Sequence, residues 1–91
     1  DKAAHQNDAK SQYNLAIMYL NGYGVQKNTL KSVEYYTKAA LQGDPDSQLQ
    51  LGIRYLNGEG VEKNTEIAKE WFNKAQASGN NEAEVYLKAL K

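Results

Sequence analysis

The sequence has no cysteine, a single proline and no long hydrophobic run. Without cysteine, these residues can form neither a disulfide framework nor a thiolate metal site. Because no apolar run approaches the ~20 residues that span a bilayer, we expect no membrane insertion. The charge favours neither sign, since eleven basic side chains balance eleven acidic ones. Nucleic-acid binders concentrate Lys and Arg, so we expect no nucleic-acid partner.

Residue types that commonly carry catalysis or hold metals are also scarce. His5 is the one histidine, and the sequence offers no convergent ligands or orienting partner for it. Glu59 and Glu62 lie close together, but Tyr23 and Gln26 stand at the corresponding places 36 residues earlier. Solvated loop residues therefore explain these two carboxylates better than a catalytic dyad does. The sequence predicts neither an enzyme nor a bound cofactor.

What the sequence does contain is a repeat. Residues 8–43 align with residues 44–79 without a gap, and 18 of the 36 positions are identical. Self-similarity at such a period is typical of helical arrays, in which each unit buries its apolar face only against its neighbours. We therefore predict one helical repeat domain over residues 1–91. Residues 1–7 would end a preceding repeat, 8–43 and 44–79 would be complete repeats, and 80–91 would be the first helix of a third repeat or a C-terminal cap.

Each unit is predicted to be two antiparallel helices joined by a short loop. Gly43-Asp44-Pro45 marks a boundary, because Gly suits a helix C-terminus, Asp caps the next helix and Pro fits its first turn. The first helices are expected near residues 9–20 and 45–56. Asn28 and Asn64 are the N-cap candidates for second helices near residues 29–42 and 65–78. The sequence thus predicts an all-α fold, an α-α superhelix of helix hairpins with a 36-residue period.

The repeated residues resemble the Sel-one-like repeat family, a relative of the tetratricopeptide repeats. The family pattern combines Leu-Gly, Tyr, Gly-x-Gly-Val, Ala, an aromatic, Lys-Ala and Gly. The second unit matches it with Leu51-Gly52, Tyr55, Gly58-Glu59-Gly60-Val61, Ala68, Trp71, Lys74-Ala75 and Gly79. The first unit departs at Ala16, which replaces the usual Gly. The resemblance covers almost the whole chain and implies a superhelix that binds other proteins or peptides. Family members often work in the bacterial envelope or are exported, whereas these residues do not fix the compartment.

Residues that differ between the units are the candidates for binding a partner. In superhelices of this kind the first helices line the concave face. There the two units and the third first helix place Lys10, Asn14, Met18 and Asn21; Asp46, Gln50, Arg54 and Asn57; and Glu82 and Tyr86. Met18, Arg54 and Tyr86 are residue types suited to anchoring an interface. We predict that this strip holds a protein or peptide partner.

Three other interpretations remain open at this point. The strip could be an ordinary solvated face, with Tyr86 covered by further repeats of the same chain. The domain could be a structural spacer or an oligomerisation segment within a longer solenoid. Some cysteine-rich family members are linked to penicillin binding and β-lactam hydrolysis, but their units are stapled by disulfides and this chain has no cysteine.

Overall fold

The computed structural model describes residues 8–90, and this part of the chain contains five α-helices and no strand. The helices are α1 (Ala9–Asn21), α2 (Thr29–Leu41), α3 (Pro45–Asn57), α4 (Thr65–Ala77) and α5 (Glu82–Ala89). The predicted all-α fold is confirmed. The expectations for residues 1–7, including the role of His5, lie outside the described residues. None of the helices within residues 8–90 is long and apolar enough to cross a membrane.

The first helices begin and end as the local sequence predicts, to within one residue. Asp44 accepts from the backbone N–H of Ser47 at 2.8 Å, and Pro45 occupies the first turn of α3. Gly22 and Gly58 adopt φ values of 74° and 71°, a left-handed conformation that ends α1 and α3. Because glycine takes this conformation without strain, each helix continues to the asparagine before it, one residue past the predicted end.

The second helices start at the predicted asparagine caps. Asn28 accepts from the Lys31 N–H, and Asn64 accepts from the Ile67 N–H, each at 3.0 Å. The Asn28 N–H in turn donates to the Tyr19 carbonyl at 2.8 Å, which ties the loop back to the first helix. The same bond recurs in the second unit. Each hairpin is therefore closed by backbone and cap interactions that the repeated residues provide.

The units stack because each one covers the apolar face of the unit before it. The aromatic residues Tyr36 and Phe72 are 1% and 0% exposed, and each helix packs chiefly against its neighbours in sequence. Within the second unit, Gly52 lets α3 approach the ring of Phe72, since a Cβ at this position would lie 2.6 Å from Cε1. Between the two units, Gln48 donates to the Ala40 carbonyl at 3.0 Å.

Helix α5 continues this stacking at the other end of the described chain. Tyr86 stacks on Phe72 with ring centroids 4.9 Å apart, and Ala83 is fully buried. Helix α5 therefore covers Phe72 of α4 in the same way that α3 covers Tyr36 of α2. Whether α5 belongs to a third repeat or forms a cap stays a prediction.

Candidate protein-interaction face

The predicted strip lies on α1, α3 and the start of α5, and we call its ten residues the first-helix face. Six are exposed: Lys10, Asn14, Asn21, Asp46, Asn57 and Glu82. Met18, Gln50 and Tyr86 are half-buried. Arg54 is buried, with 8% of its surface exposed. The helix register thus places most of the predicted residues at the surface, but it places one of the three expected anchors beneath it.

Arg54 is the buried member of the predicted strip, and whether it contacts a partner stays a prediction. Its Nε lies 3.0 Å from Oε1 of Glu59, which comes from the loop after α3. The alignment of this ion pair is not that of a hydrogen bond, and Nη1 has no acceptor among the described residues. A buried guanidinium that is only partly satisfied costs folding free energy, because its N–H groups have lost water without full replacement.

Glu59 was missed as a partner of Arg54 because its neighbours predict a solvated loop. The signal that could have identified the pair is that both residues change together between the units. The first unit has Met18 and Tyr23 where the second has Arg54 and Glu59. A cation and an anion that are replaced together by two uncharged residues indicate a contact.

Tyr13 is a second residue of this face that the sequence prediction did not include. Its counterpart in the second unit is the core residue Leu49, which made a buried role the natural expectation. Tyr13 is half-buried and packs edge-on against Tyr36, with centroids 5.8 Å apart. Burial raises the pKa of the Tyr13 hydroxyl, and the charges of Asp46, Asp44 and Glu82 raise it further. Tyr13 therefore lies in the negative field of three carboxylates.

Asn80, just before α5, links the Asp46 carboxylate to the backbone at the start of α5. Its Nδ2 donates to Oδ1 of Asp46 at 3.0 Å, and its Oδ1 accepts from the Glu82 N–H at 2.9 Å. Asn80 itself is 9% exposed, so the linkage is shielded from water. The start of α3 and the start of α5 are thus held together, and their acidic side chains lie at the same edge of the first-helix face.

The described part of the chain shows no candidate metal centre. No group of three or more His, Asp or Glu side chains there could hold a metal ion. Two open grooves lie elsewhere, one of about 400 Å³ between α4 and α5 and one of about 500 Å³ beside Tyr19 and Lys31. Both are open to solvent, and the second is lined by the loop that joins α1 and α2.

Comparison with known proteins agrees with this architecture. The model of the Sel1 repeat matches residues 9–44 and 45–80. The comparison with curated proteins finds no match. Among solved structures, a Sel1 repeat protein from Oxalobacter formigenes is 40% identical, with a TM-score of 0.91 over 96% of this chain and 65% of its own.

Two further solved structures are similar. Cysteine rich protein B of Helicobacter pylori is 36% identical, with a TM-score of 0.88 over 94% of this chain and 65% of its own. The protective antigen c5321 of uropathogenic Escherichia coli, which displays an SLR fold, is 35% identical, with a TM-score of 0.85 over 90% of this chain and 18% of its own. The chain thus spans less than two thirds of each of these proteins. With two matched repeats and this likeness of fold and sequence, the chain belongs to the Sel1 repeat family.

Proposed function

We propose that this chain is a protein-interaction module and that the first-helix face binds a peptide or a partner protein. The Sel1 repeat is a helical scaffold fold that commonly serves protein interaction. The observation that carries the proposal is that the residues that build the fold are repeated, whereas most residues on the exposed face are not. The caps and loop glycines recur in both units, whereas most residues of the first-helix face differ between them, with Asn21 and Asn57 as the exception.

The mixture of residues on this face supports the proposal. Met18 and Tyr86 supply half-buried apolar surface, and Asn14, Gln50 and Asn57 supply groups that can donate and accept hydrogen bonds. Interfaces commonly combine an apolar anchor with a polar surround of this kind. The second helices offer a different outer surface, on which Leu30 and Leu41 are 70% and 73% exposed but lie near opposite ends of α2.

Site-specific photo-crosslinking tests the proposal. A photoreactive amino acid replaces Asn14 or Gln50 on the first-helix face, and Glu34 or Glu70 on the second helices as matched controls. We expect the face positions to crosslink one saturable partner in the native cell, and the second-helix positions to give none. Charge reversal at Arg54 is unsuitable as a test, because a buried carboxylate would disturb folding.

A second set of variants connects the crosslink to the face. Met18→Ala combined with Gln50→Ala removes contact surface while leaving the buried core residues unchanged. We expect this variant to keep its circular dichroism spectrum and to lose the crosslinked product. Equal crosslinking from both surfaces, or none from either, would favour the structural spacer over the binding module.

A further inference from the structure

In the second unit, two close contacts attach the second helix and its loop to the stack. A Cβ on Gly52 of α3 would lie 2.6 Å from Cε1 of Phe72, so α4 packs directly against the backbone of α3. A Cβ on Gly60, in the loop between α3 and α4, would lie 2.8 Å from Cγ2 of Val33 on α2. A further unit that stacks in the same way on α4 and α5 needs the same two contacts.

Lysines stand at the corresponding positions of α4 and α5. Lys88 takes the place of Gly52, which is the fully buried Ala16 in the first unit. Lys69 takes the place of the buried Val33. The side chains of Lys88 and Lys69 are 70% and 37% exposed. A second helix over Lys88 would meet a long side chain where only a small one fits, and it would remove an ammonium group from water.

Lys88 also forms an ion pair within its own helix. Its Nζ lies 3.4 Å from Oε2 of Glu84, one turn earlier. A helix packed over Lys88 would bury or break this pair, and burial takes two charges out of water for one attraction. Charge therefore opposes packing at the same point as the volume of the side chain does.

The space between α4 and α5 shows the effect of related replacements. Between α2 and α3, the residues Val33, Ala40 and Leu51 belong to one buried cluster. Lys69 and Gln76 stand at the places of Val33 and Ala40, and both line an open groove of about 400 Å³ between α4 and α5. The outer edge of this junction is therefore polar, as is typical of the units that terminate helical arrays.

The apolar surface that would face a second helix is also smaller on α5. Leu49 and Ile53 of α3 pack in or against the same cluster as Phe72 of α4. Val85 and Ala89 occupy the places of Leu49 and Ile53 on α5, and both have smaller side chains. Because hydrophobic stabilisation is roughly proportional to the apolar area buried, a further helix would gain less here than α4 gains on α3.

We propose that α5 is a cap that closes the helical stack, so that no further second helix packs on it. Lys88 blocks the place where α4 packs on α3. Lys69 blocks the place where the loop of a further unit would touch α4. Any chain that follows residue 91 would then leave the stack instead of continuing the repeat, and the first-helix face ends at Tyr86.

An added helix tests this closure. The chain is extended beyond residue 91 by a copy of residues 56–79, which supplies a loop and a second helix in the register of the repeat. We expect the amides of the added segment to exchange within about threefold of their rates in the isolated peptide, because the segment does not pack. The urea midpoint of the rest of the protein should be unchanged.

A double variant of the extended protein reopens the end. Lys88→Ala with Lys69→Val supplies the residues that the first unit has at these positions. We expect the added amides to exchange at least about tenfold more slowly than in the extended wild type, because the added helix now packs on α5. The unextended double variant should keep its circular dichroism spectrum, since both lysine side chains are at least partly exposed.

The matched control removes two exposed lysines from the first unit. Lys10→Ala with Lys27→Val changes the net charge by the same amount and should leave the added segment unprotected. Protection of this segment in the extended wild type would overturn the proposal, because α5 would then accept a further helix. Absence of protection in the double variant would overturn it too, because the lysines would not be what closes the end. Neither result depends on whether the first-helix face binds a partner.

Discussion

At the residue scale, one hydroxyl distinguishes the two main core aromatics. Tyr36 and Phe72 occupy corresponding positions on α2 and α4 and are both almost fully buried. Burial raises the pKa of Tyr36 to about 12, and the charge of Arg54 partly offsets this effect. The hydroxyl therefore makes the first interface sensitive to alkaline pH, whereas Phe72 gives the second interface no such dependence.

We predict that Tyr36→Phe makes the protein more resistant to alkaline pH. The folded state holds the Tyr36 proton more tightly than the unfolded state, whose tyrosine pKa is about 10. The stability from this difference is complete below pH 10 and is lost as pH rises toward 12. Its upper limit is about 1.4 kcal/mol per pH unit. Urea unfolding at pH 8 and pH 11 should show a smaller loss for Tyr36→Phe than for wild type.

The control for this prediction is Tyr23→Phe, because Tyr23 is 62% exposed. The Tyr23→Phe variant should lose as much free energy of unfolding between pH 8 and pH 11 as the wild type does. If Tyr36→Phe is equally sensitive, other groups, such as lysines, cause the alkaline loss and the buried hydroxyl does not.

At the scale of the helix, close packing of α3 on α4 depends on a missing side chain. A Cβ on Gly52 would lie 2.6 Å from Cε1 and 2.8 Å from Cδ1 of Phe72. The Phe72 ring is 0% exposed and is covered by Tyr86, so it cannot move without disturbing α5. The first unit has Ala16 at this position and Tyr36 opposite. Each unit therefore combines a different small residue with a different aromatic ring.

We predict that Gly52→Ala destabilises the protein by about 1–2 kcal/mol, although alanine is the better helix former. Overpacking of this size outweighs the helix propensity gain of about 1 kcal/mol. Urea unfolding measures the difference, and Ala16→Gly serves as the counterpart in the first unit. That substitution should cost about 1 kcal/mol through helix propensity. A gain in stability for Gly52→Ala would contradict the steric role of this glycine.

Also at this scale, the local parts of the fold could be predicted from the sequence, whereas the tertiary parts of the face could not. The caps at Asp44, Asn28 and Asn64 depend on residues within one helical turn, so a linear pattern predicts them. The burial of Arg54 depends on Glu59 beyond the helix and on the packing of α2. The pKa of Tyr13 likewise responds to the charges of carboxylates that are 31 to 69 positions away in the sequence. The period of the helix predicts which side of it faces outward but not how deep each side chain lies.

At the scale of the whole molecule, stability is distributed between neighbouring units. Helices pack chiefly on those next to them in sequence, and two separate clusters of buried residues form, one around Tyr36 and Leu51 and one around Phe72 and Leu49. In such a stack, the free energy is approximately a sum of unit and interface contributions. A local loss at one end is therefore expected to affect adjacent helices most.

Tyr86→Ala tests this arrangement. Removing the ring uncovers Phe72, on which it stacks at 4.9 Å, and should cost about 2–3 kcal/mol. We expect native-state hydrogen exchange to accelerate most in α4 and α5, and least in α1 and α2. Val85→Ala on the same helix is the control, because Val85 is 68% exposed and its truncation should leave exchange nearly unchanged. An equal acceleration in all five helices would mean that the described units unfold as one cooperative body, because the interface between the two clusters would then be strong enough to prevent either hairpin from opening alone.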